Sequence, residues 1–261
     1  MKPTKILYYK SFEDDFFESN DQNYILPENY EWVKKGFFDR VWSAILYGVA
    51  VIFSTVYCRL VLHLRFKNRS VLKKANKEGA FIFANHTQPV GDVFIPALAC
   101  LPRRINTVVS PANLGLRFIG KLLGPLGALP VPNNVRDLKK LNEAIEYRLR
   151  QKRYVLIYPE AHVWEYCTEV RPFGDTSFSY PVMFDKPSYC MTATYQKSRM
   201  FRRPIMTVFV DGPFYPDSSI GRRERSKKLH REISECMKNR SESSNYSYIR
   251  YQKAEENEGA L

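Results

Sequence analysis

From residue 80 onward short apolar runs alternate with segments of helical periodicity, and this alternation narrows the choice of fold more than any other feature of the chain. Ala80–Ala84 (AFIFA), Ile105–Val109, Ala128–Val131, Tyr154–Tyr158 (YVLIY), Tyr189–Tyr195 and Ile205–Val210 read as strands. Between and after them, Asp92–Leu101, Asn113–Leu123, Val135–Arg150 and Gly221–Lys238 read as helices. The clearest is Val135–Arg150: Val135, Leu138, Leu141, Ile145 and Leu149 recur at three- and four-residue spacing, with Asn134 placed as its cap. Strands alternating with helices predict an α/β fold, a mostly parallel sheet flanked by helices on both faces. No internal repeat is visible.

Upstream, Val41–Cys58 (VWSAILYGVAVIFSTVYC) runs eighteen residues without a charge. That is the lower limit for crossing about 30 Å of hydrocarbon. Trp42, Tyr47 and Tyr57 suit a membrane interface. Basic residues flank both ends: Lys34, Lys35 and Arg40 before it, Arg65, Lys67, Arg69, Lys73, Lys74 and Lys77 after it. A helix lying in or dipping into the cytoplasmic leaflet explains two basic ends as well as a span does. The alternative is a buried core helix, although such helices are usually shorter.

Lys and Arg number 40 against 27 Asp and Glu, a net charge of +13 that suits nucleic acid or anionic membrane. The basic run Arg222–Lys228 comes with no recognised nucleic-acid module, so it reads as a solvated helix face near anionic lipid, and no nucleic-acid partner is expected. The five cysteines are scattered, with no paired or zinc-ligand spacing, and read as reduced thiols in a cytosolic compartment. The first thirty residues are polar and aromatic, with Glu13, Asp14 and Asp15 clustered, and do not read as a secretory signal. The expected location is the cytoplasmic face of the cell membrane.

Asn85-His86-Thr87-Gln88-Pro89-Val90-Gly91-Asp92 directly follows a strand, at the carboxyl end where α/β sheets form their sites. A neutral imidazole can take a proton from a hydroxyl, and a carboxylate can fix its tautomer. A single His near an Asp is more often structural, so the rest of the chain must decide. The connection Pro159–Pro187 is long, and its Trp164, Tyr166, Phe173, Phe178 and Tyr180 suggest a folded cover over a lipid site.

Asn85-His86…Asp92 resembles the signature of the glycerolipid acyltransferase family, which includes the 1-acylglycerol-3-phosphate acyltransferases. Tyr158-Pro159-Glu160-Ala161-His162 resembles that family's third motif, Phe-Pro-Glu-Gly-Thr. Leu126–Val131 resembles the second motif, and Lys186-Pro187 before an apolar strand resembles the fourth. The likeness runs from roughly residue 37 to residue 235. Five residues separate His86 from Asp92 where the family has four; Ala161 and His162 replace Gly and Thr; Asn133 stands where the second motif ends in Arg, the nearest being Arg136.

The resemblance implies that His86 is the general base and Asp92 its orienting partner. It implies that Glu160, His162 and Arg136 contact the acceptor headgroup, with Asn133 and Arg171 as further substrate-binding candidates. It implies acyl transfer from acyl-CoA or acyl carrier protein to a lysophospholipid, 1-acylglycerol-3-phosphate first, at a phospholipid membrane, with no metal or prosthetic group. The expected organisation is a polar and aromatic arm (1–36), a membrane-associated helix (37–66), an acyltransferase domain (67–240) and a polar tail (241–261).

On a regular helix, six residues turn a side chain about 120° from the first and five about 140°, so neither spacing brings His and Asp together without a turn. Pro89, by fixing φ, and Gly91, by admitting positive φ, are expected to make that turn, so that Asp92 still reaches His86. Gly115–Leu122 nearly spells a phosphate-binding loop, but Leu122 replaces the required Ser or Thr, and a helix accounts for it better. Two alternatives stay open: a metal-dependent phosphoesterase using His86, Asp92, Glu160 and His162 as ligands, and a non-catalytic lipid-binding scaffold.

Overall fold

The computed structural model describes residues 4–16, 24–75, 77–117 and 119–254. Part of the expected arm (1–3 and 17–23), the end of the tail (255–261) and Phe118 within the expected Asn113–Leu123 helix lie outside the described residues. In chain order the elements are β1 (Lys5–Tyr9), α1 (Phe37–Leu60), β2 (Arg65–Lys67), α2 (Leu72–Ala75), β3 (Ala80–Ala84) and α3 (Gly91–Ala99). There follow β4 (Ile105–Val109), α4 (Gly120–Leu126), β5 (Ala128–Pro130), α5 (Val135–Arg150) and β6 (Tyr154–Ile157). The chain then forms α6 (Ser179–Phe184), β7 (Ser188–Gln196), β8 (Ile205–Phe214), α7 (Arg222–Ser241) and β9 (Ile249–Lys253).

Seven strands form one sheet in the order β2-β8-β7-β3-β6-β4-β5, parallel throughout except for the antiparallel β7–β8 pair. The expected mixed, mostly parallel α/β architecture is what the chain adopts. β3 lies at the centre and is buried along its whole length, as a strand covered on both faces must be. Its side chains divide by the period of two: Ala80, Ile82 and Ala84 join a core with α1 and α3, while Phe81 and Phe83 join one with α5 and α7. Asn134 caps α5 as expected, its Oδ1 accepting from the Asp137 N–H at 2.9 Å.

The expected Asn113–Leu123 helix is instead a short 3₁₀ turn over Pro111–Gly115 followed by α4. Gly120 explains the break: a Cβ there would sit 2.0 Å from the Leu114 carbonyl oxygen, a close approach that only glycine tolerates. β1, inside the expected polar and aromatic arm, pairs in parallel with β9, inside the expected polar tail, to form a second small sheet that joins the two ends of the chain. The connection Pro159–Pro187 is a folded cover that carries α6 and buries Trp164, Tyr166 and Phe178.

Candidate active site

The Asn85 amide continues the sheet beyond the end of β3: its Oδ1 accepts from the Ala193 N–H at 2.8 Å and its Nδ2 donates to the Ala193 carbonyl at 3.1 Å. This grip on β7 sets the direction in which His86 leaves the sheet. The His86 Nδ1 then lies 2.7 Å from the Asp92 Oδ2, and that same oxygen accepts from the backbone N–H groups of Thr87 and Gln88, each at 2.8 Å. A carboxylate only accepts, so Nδ1 carries the proton and Nε2 keeps its lone pair. Asp92 is buried, whereas the His86 side chain stays 19% exposed, so the imidazole is held from one side and open on the other. Tyr158 stacks on the imidazole (centroids 4.2 Å apart, planes 17° from parallel) and donates its hydroxyl to the Asp92 carbonyl at 2.7 Å. Burial raises the Tyr158 hydroxyl well above its ordinary pKa, with Asp92 adding to the effect, so it stays a neutral donor.

The extra residue between His86 and Asp92 is absorbed in a turn at Pro89–Val90, and Asp92 becomes the second residue of α3. Gly91 acts differently from expectation: its φ is not among the positive values, and its role is space. A Cβ there would come within 2.8 Å of Leu62 Cδ1 and 2.9 Å of Gln88 Cβ.

Glu160 sits beneath this loop, buried and saturated. Its Oε2 accepts from the His86 N–H at 2.9 Å and from Arg171 Nη2 at 3.1 Å, and its Oε1 accepts from the Arg171 N–H at 2.8 Å. Burial pushes the Glu160 carboxyl up, and the Arg171 guanidinium and these N–H donors pull it back. Arg171 also donates to the carbonyls of His162 and Phe12 and faces the Trp164 ring at 4.7 Å, while its Nε is buried with no partner. The Glu160 and Arg171 side chains both hold the segment after β6 against His86. The Trp164 N–H donates to the His86 carbonyl at 3.0 Å and the Tyr166 N–H to the Thr87 carbonyl at 2.9 Å, completing the attachment.

Ala161 takes φ +63°, the left-handed region. A side chain there costs about 1–2 kcal/mol, which glycine avoids at an entropic cost of about 0.5–1 kcal/mol. Ala161→Gly is thus expected to raise stability by up to about 1 kcal/mol. Chemical denaturation measures this, and a less stable glycine variant would show that the Ala161 methyl contributes packing that outweighs the backbone term.

The remaining candidates are more dispersed. His162 is partly exposed, with its Nδ1 3.4 Å from Asp15 Oδ2. The Asn133 Oδ1 accepts from the Leu26 N–H at 3.0 Å and so fastens the amino-terminal segment. Arg136 is exposed on the first turn of α5, beyond the edge strand β5. That edge is three strand spacings, about 14 Å, from β3. The structure thus brings His86, Asp92, Glu160 and Arg171 together and leaves Asn133 and Arg136 outside that cluster.

Sequence reasoning assigned no role to Asn85 or Tyr158, and read Trp164 only as part of a cover. Tyr158 carried a signal, standing in the quoted motif, but its ring contact with His86 joins the ends of two different strands. The four-ligand metal reading finds no support in the geometry, because the ligand atoms of His86, Asp92, Glu160 and His162 do not gather at metal-ligand separation. Among the described residues, side chains at metal-ligand separation occur only at Cys190, Asp211 and Cys236, and there Arg240 holds Asp211 through contacts of 2.9 and 2.7 Å.

This chain belongs to the acyltransferase family, whose model, described as Acyltransferase, matches residues 63–210 and so spans β3, both motif loops and most of β8. Among solved structures the chain is similar to the 1-acyl-sn-glycerophosphate (LPA) acyltransferase PlsC from Thermotoga maritima. The identity is 14% and the TM-score 0.43, over 80% of this chain and 99% of that one. No curated protein matches the chain.

Proposed function

We propose that the protein transfers a fatty acyl group from an acyl thioester to the hydroxyl of a lysophospholipid, with His86 as the general base. The observation that carries this reading is the imidazole itself, pinned through Nδ1 to a buried carboxylate and open at Nε2 at the carboxyl edge of a parallel sheet. Nε2 takes the proton as the acceptor oxygen attacks the thioester carbonyl, and Asp92 stabilises the imidazolium that results. Collapse of the tetrahedral intermediate expels the thiolate, which recovers the proton, leaving an ester and a free thiol. The donor is acyl-CoA or acyl carrier protein, and the preferred acceptor is 1-acylglycerol-3-phosphate.

Glu160 and Arg171 position the catalytic loop in this reading. His162 and Arg136 keep free donor capacity for the acceptor phosphate. His162→Ala and Arg136→Ala are expected to raise the acceptor KM more than they lower kcat. Steady-state kinetics over a panel of lysolipids checks this; an unchanged KM for the phosphate monoester in both variants would place the phosphate elsewhere.

The enzyme works at a membrane, for which we propose the cytoplasmic face of the cell membrane. α1 has 24 residues, about 36 Å, and is long and apolar enough to cross a bilayer. We read it as lying in the leaflet, because contacts with the rest of the protein follow its length. Ser43 donates to the Pro125 carbonyl, Tyr47 accepts from the Ile105 N–H, Cys58 is buried, and Phe53 and Tyr57 pack on Phe94. Its other face exposes Ile45, Val49, Ile52 and Val56, and Val90 and Val93 beside the catalytic loop are exposed as well. Substituting Val49→Glu and Ile52→Glu together is expected to shift the protein from vesicles toward the soluble fraction with its fold intact. Flotation with phosphatidylcholine vesicles and circular dichroism read both; full flotation of the double variant would place the anchor elsewhere. Deleting the whole segment is a poorer test, since Tyr47, Cys58 and Leu62 belong to the core.

A further inference from the structure

Away from His86, at the opposite edge of the sheet, three arginines meet without an acid. Arg104 immediately precedes β4 and Arg153 immediately precedes β6, two adjacent parallel strands in which Ile105 registers with Tyr154. The Tyr154 N–H donates to the Arg104 carbonyl at 3.1 Å, and the Arg153 N–H donates to the carbonyl of Arg148, in the last turn of α5, at 3.2 Å. One short run of backbone hydrogen bonds therefore gathers all three residues at the amino ends of β4 and β6.

All three side chains are half-buried. Arg104 Nη2 donates to the Ser43 hydroxyl and the Pro125 carbonyl, both at 3.0 Å, and its guanidinium lies 4.3 Å from the Tyr47 ring. Arg148 lies over Tyr147 and reaches the Trp32 carbonyl at 3.5 Å, while its Nε is buried with no partner. Arg153 has no side-chain hydrogen bond or ion pair among the described residues. Among the described residues no carboxylate pairs with any of the three. Burial, and after it the charge of a neighbouring arginine, lowers Arg104 and Arg148 to about 10. Three partly desolvated like charges are costly, and an anion between them removes that cost.

We propose that Arg104, Arg148 and Arg153 form a second, non-catalytic site that binds the phosphate of an anionic phospholipid. Guanidinium forks match phosphate oxygens in pairs, and the half-buried Arg153, with no side-chain partner among the described residues, supplies the donors for it. The lipid source follows from the surroundings: the exposed Phe37, Phe38 and Trp42 open α1 beside Ser43, and Lys35 stands over the Tyr147 ring. The site lies at the amino ends of β4 and β6, whereas His86 follows the carboxyl end of β3, so the inference does not depend on the catalytic reading.

The test is thermal unfolding of the full chain in neutral detergent with dihexanoylphosphatidylglycerol, a diester that is neither the proposed acceptor nor its product. Inorganic phosphate and dihexanoylphosphatidylcholine are run alongside at equal concentration. The anionic lipid is expected to raise Tm by about 3 °C or more at ten times its Kd, inorganic phosphate by less, and the zwitterionic lipid not at all. Arg153→Met should raise Tm without lipid, by relieving repulsion, and abolish most of the lipid-dependent shift. Arg231→Met, which removes an exposed charge from α7, and His86→Ala should keep that shift. An undiminished shift in Arg153→Met, or no shift with any phosphate probe, overturns the site; inorganic phosphate acting as strongly as the lipid overturns the lipid assignment.

Discussion

His86→Ala is expected to lower kcat by about 10²- to 10⁴-fold while leaving the fold in place. The loss is chemical, because the features that shape the loop lie elsewhere. Glu160 holds the His86 backbone N–H, Trp164 holds its carbonyl, and Asp92 caps Thr87 and Gln88 whatever the side chain at 86. Asp92→Asn separates orientation from charge. The amide oxygen can keep the place of Oδ2, accepting from Nδ1 and from the Thr87 and Gln88 N–H groups, but without the carboxylate charge the imidazolium formed in the reaction loses its stabilisation. Turnover of Asp92→Asn should therefore fall steeply at a nearly unchanged acceptor KM. Circular dichroism serves as the folding control, and near wild-type turnover in a folded His86→Ala enzyme would remove His86 from the mechanism.

The largest stability effect is expected at Arg171. Arg171→Met leaves the Glu160 carboxylate buried without its counter-ion and should cost about 3–5 kcal/mol. Two backbone N–H groups still reach Glu160, yet they do not neutralise it. The sign of the pH dependence follows from burial, which raises the folded-state pKa of Glu160 above its unfolded value. Where the folded state binds the extra proton, stability falls as pH rises through the window between the two values. With the Arg171 guanidinium gone only the two backbone N–H groups offset this, so the deficit of the variant against wild type is greatest at neutral pH and shrinks as the medium is acidified. Changing Glu160→Gln together with Arg171→Met should recover much of the loss. Urea denaturation at two pH values reads all of this; a deficit that grows on acidification would mean that Glu160 is not the group left stranded.

What was legible in the sequence follows the range of the interactions involved. β3 and α5 were legible to the residue, because a buried strand and an amphipathic helix write their periods locally. The His86–Asp92 contact was legible too, since six residues and a proline contain the whole device. The pairing of β1 with β9 was not, because Lys5 meets Ile249 across nearly the whole chain, and β1 (KILYY) carries no alternating pattern although the short β9 (IRYQK) does. Glu160 was found, but its pairing with Arg171 was not. Its motif announces a carboxylate, while its partner Arg171 lies on a segment with no periodicity, and only the folded loop shows both oxygens taken. Gly91 shows the same limit: the residue type was informative, but steric contact with Leu62, and not positive φ, is what requires it.

The most direct test of the account is to follow both products of one reaction with purified protein, acyl-CoA and 1-acylglycerol-3-phosphate in phosphatidylcholine vesicles. Mass spectrometry quantifies the diacyl phosphate product while a thiol reagent follows free coenzyme A. The account predicts equimolar diacyl product and thiol from the wild-type enzyme, and both lost together in His86→Ala. Release of inorganic phosphate from the lysolipid, or of thiol matched by free fatty acid with no diacyl product, would contradict it.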